Sequence, residues 1–129
     1  ETLAGSTNKW TSYHAKHLLA MLDEGKPVPD GLDYRVQAWS IGGGLTVINL
    51  PGEVVVDYGL RFKKTYGQDR TWVNSYTNDV PCYIPSQRVW EEGGYEAGGA
   101  MLYYGRPTRF ASGIEEIIAK AVAEIAPKQ

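Results

Sequence analysis

The stretch Tyr34–Glu53, YRVQAWSIGGGLTVINLPGE, decides how the rest of the chain must be arranged. Two runs rich in strand-forming residues, Tyr34 to Ile41 and Leu45 to Leu50, flank three glycines. Glycine enters positive φ without a Cβ clash, so Gly42, Gly43 and Gly44 predict a tight turn and the two runs a β-hairpin. A phosphate cradle would need a helix behind the glycines, and here a second strand follows. Pro51 and Gly52 then break that strand just ahead of Glu53.

Upstream, Ala15, Leu18, Leu19 and Leu22 fall at i, i+3, i+4 and i+7, which predicts a helix over Thr11 to Glu24 with one apolar face. Gly25, Pro27 and Pro29 stop it. Downstream, Val55, Tyr58, Gly59, Phe62 and Tyr66 keep helical spacing up to Gly67, although the Val54-Val55-Val56 run also suits a strand. Thr71 to Tyr76 reads as a further short strand, and 77–105 as irregular. Ser112 and Glu115 read as a capping box opening a last helix, with Ile114, Ile117, Ile118, Ala121, Val122 and Ile125 on one face and Pro127 at its end. The expectation is one compact α/β (α+β) unit over residues 1–129, a short mixed sheet of about three to four strands with a hairpin, packed by about three helices.

Composition narrows the classes. In 129 residues, 43% hydrophobic and 22% charged content is that of an ordinary globular chain, which argues against disorder. A net charge of -2 supplies no electrostatic footprint for nucleic acid. The single cysteine, Cys82, excludes an internal disulfide framework and a thiolate-rich zinc site made by this chain alone. Apolar runs fall far short of the ~20 residues that span a bilayer. The stretch starts at Glu1 with no basic and apolar leader, so it supplies no targeting signal of its own.

Several residues are candidates for chemistry. His14 and His17, three apart, could share a helix face as a metal pair, but no third ligand lies near them, and two histidines flanking an apolar stripe is the plainer use. Glu53 follows a strand at a Pro-Gly break, where a carboxylate can bind a metal, act as a base or simply favour a helix N-terminus. The run Tyr76–Ser86 pairs turn formers Asn78 and Asp79 with Pro81 and Pro85, a stiff path that would hold Tyr83 in place. Cys82 could be a nucleophile or a small buried hydrophobe. Tyr95, after Gly93 and Gly94, could donate to an oxyanion or simply pack.

Taken in order, L-P-G-E (Leu50 to Glu53), a strand, N-D-x-x-x-Y (Asn78 to Tyr83) and G-Y-E (Gly94 to Glu96) resemble the neutral/alkaline, non-lysosomal ceramidase family, closest to its bacterial ceramidase-like members. Tyr83 and Tyr95 lie twelve apart, as in the family pattern, while Val80 stands where the family more usually has a further tyrosine. The resemblance implies a zinc amidohydrolase that cleaves the amide of ceramide or a related N-acyl lipid. In it Glu53 and Tyr83 would be metal ligands, and Tyr95 would contact the reacting amide. It further implies that this chain is the C-terminal part of a larger catalytic domain. The two histidine ligands would lie upstream, the protein would be exported or membrane-associated, and the chain by itself would hold no stoichiometric zinc and be inactive. Two alternatives stay open: a non-catalytic α/β interaction or ligand-binding module, and a hydrolase of a different amide.

Overall fold

The computed structural model describes residues 2–127. Along the chain come a 3-10 turn (Thr2–Gly5), α1 (Lys9–Asp23), β1 (Gln37–Ile41), β2 (Leu45–Asn49), β3 (Glu53–Val54), α2 (Val56–Tyr66), β4 (Thr71–Asn74), β5 (Tyr83–Ile84), α3 (Gln87–Glu92), α4 (Gly94–Ala97), a 3-10 segment (Gly99–Tyr104) and α5 (Ile114–Ile125). The fold is mixed α/β. The expected hairpin forms: β1 pairs antiparallel with β2, and β2 pairs in parallel with β4, giving the order β1-β2-β4. α2 is the crossover that a parallel β2–β4 pair requires. β3 and β5 make a second, two-stranded parallel sheet.

Alternation sorts the sheet's faces. Ala38, Ile48 and Val73 lie across from one another and turn to the core, where Ile48 is fully buried. Leu50, Tyr58 and Phe62 of α2, Cys82, Ile84, Met101, Ile118 and Val122 complete that core. Each large apolar side chain buried there contributes about 1.5–3 kcal/mol. Tyr58 is buried whole and donates its hydroxyl to the Pro85 carbonyl at 3.1 Å, so its polar end is satisfied. The opposite face carries the row Trp39, Val47 and Trp72, and its two indoles are 53% and 61% exposed. Ion pairs fasten the helices around this sheet. Arg61 of α2 reaches Glu115 at 2.9 Å and Glu116 at 2.5 Å on α5, and Asp57 holds Arg88 of α3 at 3.0 Å.

Four expectations change. The region 77–105 is not irregular: it contains β5, α3, α4 and the second 3-10 segment, pieces too short to show a period. The capping box does not form; Gly113 is the N-cap of α5, and Glu115 instead accepts from the Gln87 N–H and from Arg61. Only the Ile118 and Val122 stripe of α5 is buried, and Ile117 is 69% exposed. No residue of α1 is buried, because that helix, capped by Asn8, packs on the two 3-10 segments rather than on the core. The valine run is shared, with Val54 in β3 and Val56 opening α2. Among the described residues no helix is long and apolar enough to cross a membrane.

One backbone crossing fixes β3. The Gly52 N–H donates to the Asp79 carbonyl at 2.8 Å, and its carbonyl accepts from the Tyr76 N–H at 2.9 Å. Glu53 N–H then donates to the Cys82 carbonyl at 3.0 Å. Gly52 sits at φ 80, and a Cβ there would lie 2.7 Å from the Cys82 carbonyl oxygen and 2.9 Å from Ile84 Cγ1. Neither the dihedral nor the space admits a side chain. Gly52→Ala is therefore expected to lower stability by about 1–3 kcal/mol, measured as a drop in the urea midpoint at unchanged m-value. A midpoint equal to that of the native chain would show that the crossing is slack.

Candidate metal centre

Glu53 and Tyr83 stand opposite each other in the parallel β3–β5 register. Residues so placed present their side chains on one face, which sets the Tyr83 phenol beside the Glu53 carboxylate. Two further phenols converge on it. Tyr104, the last residue of its 3-10 segment, donates to Oε1, and Tyr76 donates to Oε2 at 3.0 Å. Tyr76 holds φ 57, a left-handed conformation that is uncommon for a bulky residue. The cost of that backbone is carried at the position whose N–H is fixed by Gly52 and whose hydroxyl meets Glu53.

These hydrogen bonds set the electrostatics. The Tyr104 hydrogen bond, followed by that of Tyr83, holds the Glu53 carboxyl below the ordinary glutamate range, and Tyr76 adds to the effect. Donating to Glu53 pushes the Tyr83 phenol up to about 12, and it raises Tyr104 and Tyr76 as well. At neutral pH the centre is thus one carboxylate encircled by neutral phenols.

Tyr95, on α4, joins the cluster through its ring. It lies edge-on to Tyr83 with centroids 5.6 Å apart and tilted against Tyr103 at 6.2 Å. Trp10 of α1 extends the aromatic run by an edge contact with Tyr103 at 5.5 Å. The three residues singled out from the sequence, Glu53, Tyr83 and Tyr95, are therefore brought together. Tyr76 and Tyr104 were not foreseen. Nothing in their spacing marks them, since one owes its place to a left-handed residue and the other to a 3-10 segment.

The remaining candidates fall elsewhere. Glu53 is not at a helix start: α2 opens at Val56, and Asp57 is the acid in its first turn. His14 bonds through Nε2 to the Arg106 carbonyl at 2.7 Å, and His17 is exposed. Cys82 is fully buried, and burial pushes its thiol up to about 11, which suits a packing residue and not a nucleophile. Val80 is exposed on the approach to β5. As donors, Glu53 and Tyr83 are two oxygen ligands at paired positions of adjacent strands, a fit to part of a zinc site. Such sites take three or more protein ligands, and among the described residues no group of three His, Cys, Asp or Glu gathers to supply them.

A carboxyl whose folded pKa is depressed adds stability above its unfolded value and loses it as pH falls through the folded one. Removing the Tyr104 hydroxyl, whose hydrogen bond lowers Glu53 most, should shrink that window. Tyr104→Phe is expected to move the Glu53 carboxyl resonance in a 13C pH titration toward the ordinary glutamate range. At neutral pH the stability loss should be about 1 kcal/mol or less, since the carboxylate is partly solvated. An unmoved titration would show that Tyr104 does not set the charge of Glu53.

Compared with protein-family models, with curated proteins and with solved structures, the chain finds no match in any of the three.

Proposed function

We propose that Glu53 and Tyr83 are two ligands of a zinc centre in an amidohydrolase of neutral-ceramidase type, completed by imidazoles from outside the described residues. The observation that carries this reading is the convergence of Glu53 and Tyr83 across the β3–β5 pair. A zinc ion held there would lower the pKa of a bound water to about 7 and polarise an amide carbonyl. Tyr76 and Tyr104 orient the carboxylate and keep it ionised, as partners behind metal-ligating carboxylates do. Tyr83 would hold the ion through its phenol oxygen, its proton passing to solvent as the metal binds. Tyr95, stacked edge-on beside it, faces the substrate amide and donates to the oxygen on which charge develops.

The substrate class is an N-acyl lipid such as ceramide, and the protein is one handled outside the cytoplasm. Two observations support a larger catalytic domain around this chain. On one face of the sheet the indoles of Trp39 and Trp72 are more than half exposed, whereas parallel strands are ordinarily covered on both faces. α1 lays its apolar residues down without burying any of them. A second reading, a non-catalytic module, is favoured by a different observation: the carboxylate already accepts from several phenols and needs no cation for its hydrogen bonding.

Metal content and turnover separate the two. The 129-residue chain, offering two donors, is expected to retain no stoichiometric zinc after dialysis. Joined to a histidine-bearing segment of its own gene product, it is expected to hold one zinc and hydrolyse a fluorescent N-acyl sphingosine. There Glu53→Gln and Tyr83→Phe should each cost at least about 100-fold in activity, and Tyr104→Phe about 10–100-fold. Zinc content and hydrolysis indifferent to Glu53 and Tyr83 would leave the non-catalytic module.

A further inference from the structure

A groove of about 470 Å³ lies away from Glu53, between the segment 29–32 and the loop 106–111. Its volume is that of a small-molecule site. Pro29, Leu32, Met101, Pro107 and Phe110 give it an apolar surface, and Asp30 is its single acidic residue. A neighbouring recess of about 270 Å³ shares Met101 and the Arg106–Arg109 stretch, so both hollows are served by one wall.

That wall carries two guanidinium groups without a carboxylate partner. Arg35, Arg61 and Arg88 are ion-paired, while Arg70, which forms no salt bridge among the described residues, lines a different hollow. Among the described residues Arg106 and Arg109 form no salt bridge, although both line the groove. Both are held in place nonetheless. Arg106 donates through Nε to the Pro81 carbonyl at 3.2 Å, and its own carbonyl meets His14 Nε2 at 2.7 Å. The Arg109 guanidinium lies 4.3 Å above the Trp90 ring, whose Nε1 donates to the Phe110 carbonyl at 2.8 Å. Gly98 lets the Arg109 stem pass, since a Cβ at that position would sit 2.7 Å from Arg109 Cβ. A cationic wall fixed by backbone and ring contacts loses little freedom when it takes a ligand.

We propose that this groove binds a single-chain amphiphile with a carboxylate head, the alkyl part against Leu32, Met101 and Phe110 and the head between Arg106 and Arg109. The planar donor fork of arginine matches a carboxylate, and an apolar wall matches the chain behind it. Thr108 lies between the two arginines with a further hydroxyl. The site shares no residue with the Glu53 cluster and stands independently of any metal there.

Amide chemical shifts of the full 129-residue chain, titrated with octanoate below its micelle-forming range, test the site. Saturable shifts centred on Leu32, Met101, Thr108 and Phe110 are expected. Octan-1-ol, with the chain but no charge, should bind about tenfold or more weakly, and sulfate, with charge but no chain, should not saturate. Arg109→Gln should weaken octanoate about tenfold while leaving octan-1-ol unchanged, and Arg109→Lys, which keeps the charge and loses the fork, should fall between. Equal affinity for acid and alcohol, shifts centred elsewhere, or an Arg109→Gln chain that binds octanoate normally would each overturn the proposal. If that variant does not fold, the comparison of acid with alcohol on the native chain still decides.

Discussion

The chain's candidate chemistry depends on a crossing of backbones at Gly52. Its N–H is taken by Asp79 and its carbonyl by Tyr76, both in the connection between β4 and β5. That arrangement draws the end of β4 and the start of β5 against β3, and a side chain at the crossing would push them apart. Glu53 follows immediately. Its neighbours on either hand are therefore Tyr76 and Tyr83, placed by main-chain hydrogen bonds and not by side-chain packing. A carboxylate on so short a strand would otherwise be free to sample solvent. Here its position is inherited from peptide groups that cannot be mutated away.

The environment of Glu53 joins this local geometry to function. Phenols that donate to a carboxylate stabilise its charged form and hold their own protons more tightly. The consequence is an acid whose ionised form is favoured by the phenol hydroxyls around it, and which stays partly open to solvent. Such a group is suited to meeting a cation, and the register of β3 with β5 decides that Tyr83 is the phenol that would share it. The arginine-walled groove is built on the opposite logic. There the charge is positive, it is left without a carboxylate partner, and its support comes from Trp90, Pro81 and His14. Two regions of opposite sign thus occupy a chain whose formal charge is only -2.

Much of the framework was legible in the residues because it rests on period and punctuation. The Gly42–Gly44 turn, the two runs beside it and the helix closing at Gly67 follow from φ preferences and from spacing, and they form, although the first run is a strand only from Gln37 onward. The family resemblance implies a shared site for Glu53, Tyr83 and Tyr95, and the three lie near one another in the fold. What was hidden depends on neighbours distant in sequence. Ser112 and Glu115 have the letters of a cap, yet Glu115 is claimed by Arg61 and Gln87 from other helices. Ile117 continues an apolar face in the sequence and lies outside the stripe that meets the core. Tyr76 and Tyr104 are ordinary tyrosines until a left-handed residue and a tight 3-10 segment bring them to one carboxylate. The pieces α3 and α4, of six and four residues, are too brief for any periodicity to announce.

The placement of the four indoles has an optical consequence. Trp10, Trp39 and Trp72 are each more than half in solvent, whereas Trp90 is tucked against Arg109 and bonded to Phe110. Intrinsic fluorescence of the native chain is consequently dominated by water-relaxed, red-shifted emitters open to collisional quenchers such as iodide. Unfolding will shift that emission little, so circular dichroism is the better monitor of the transition. The quencher-resistant fraction, by contrast, isolates the single indole beneath the guanidinium.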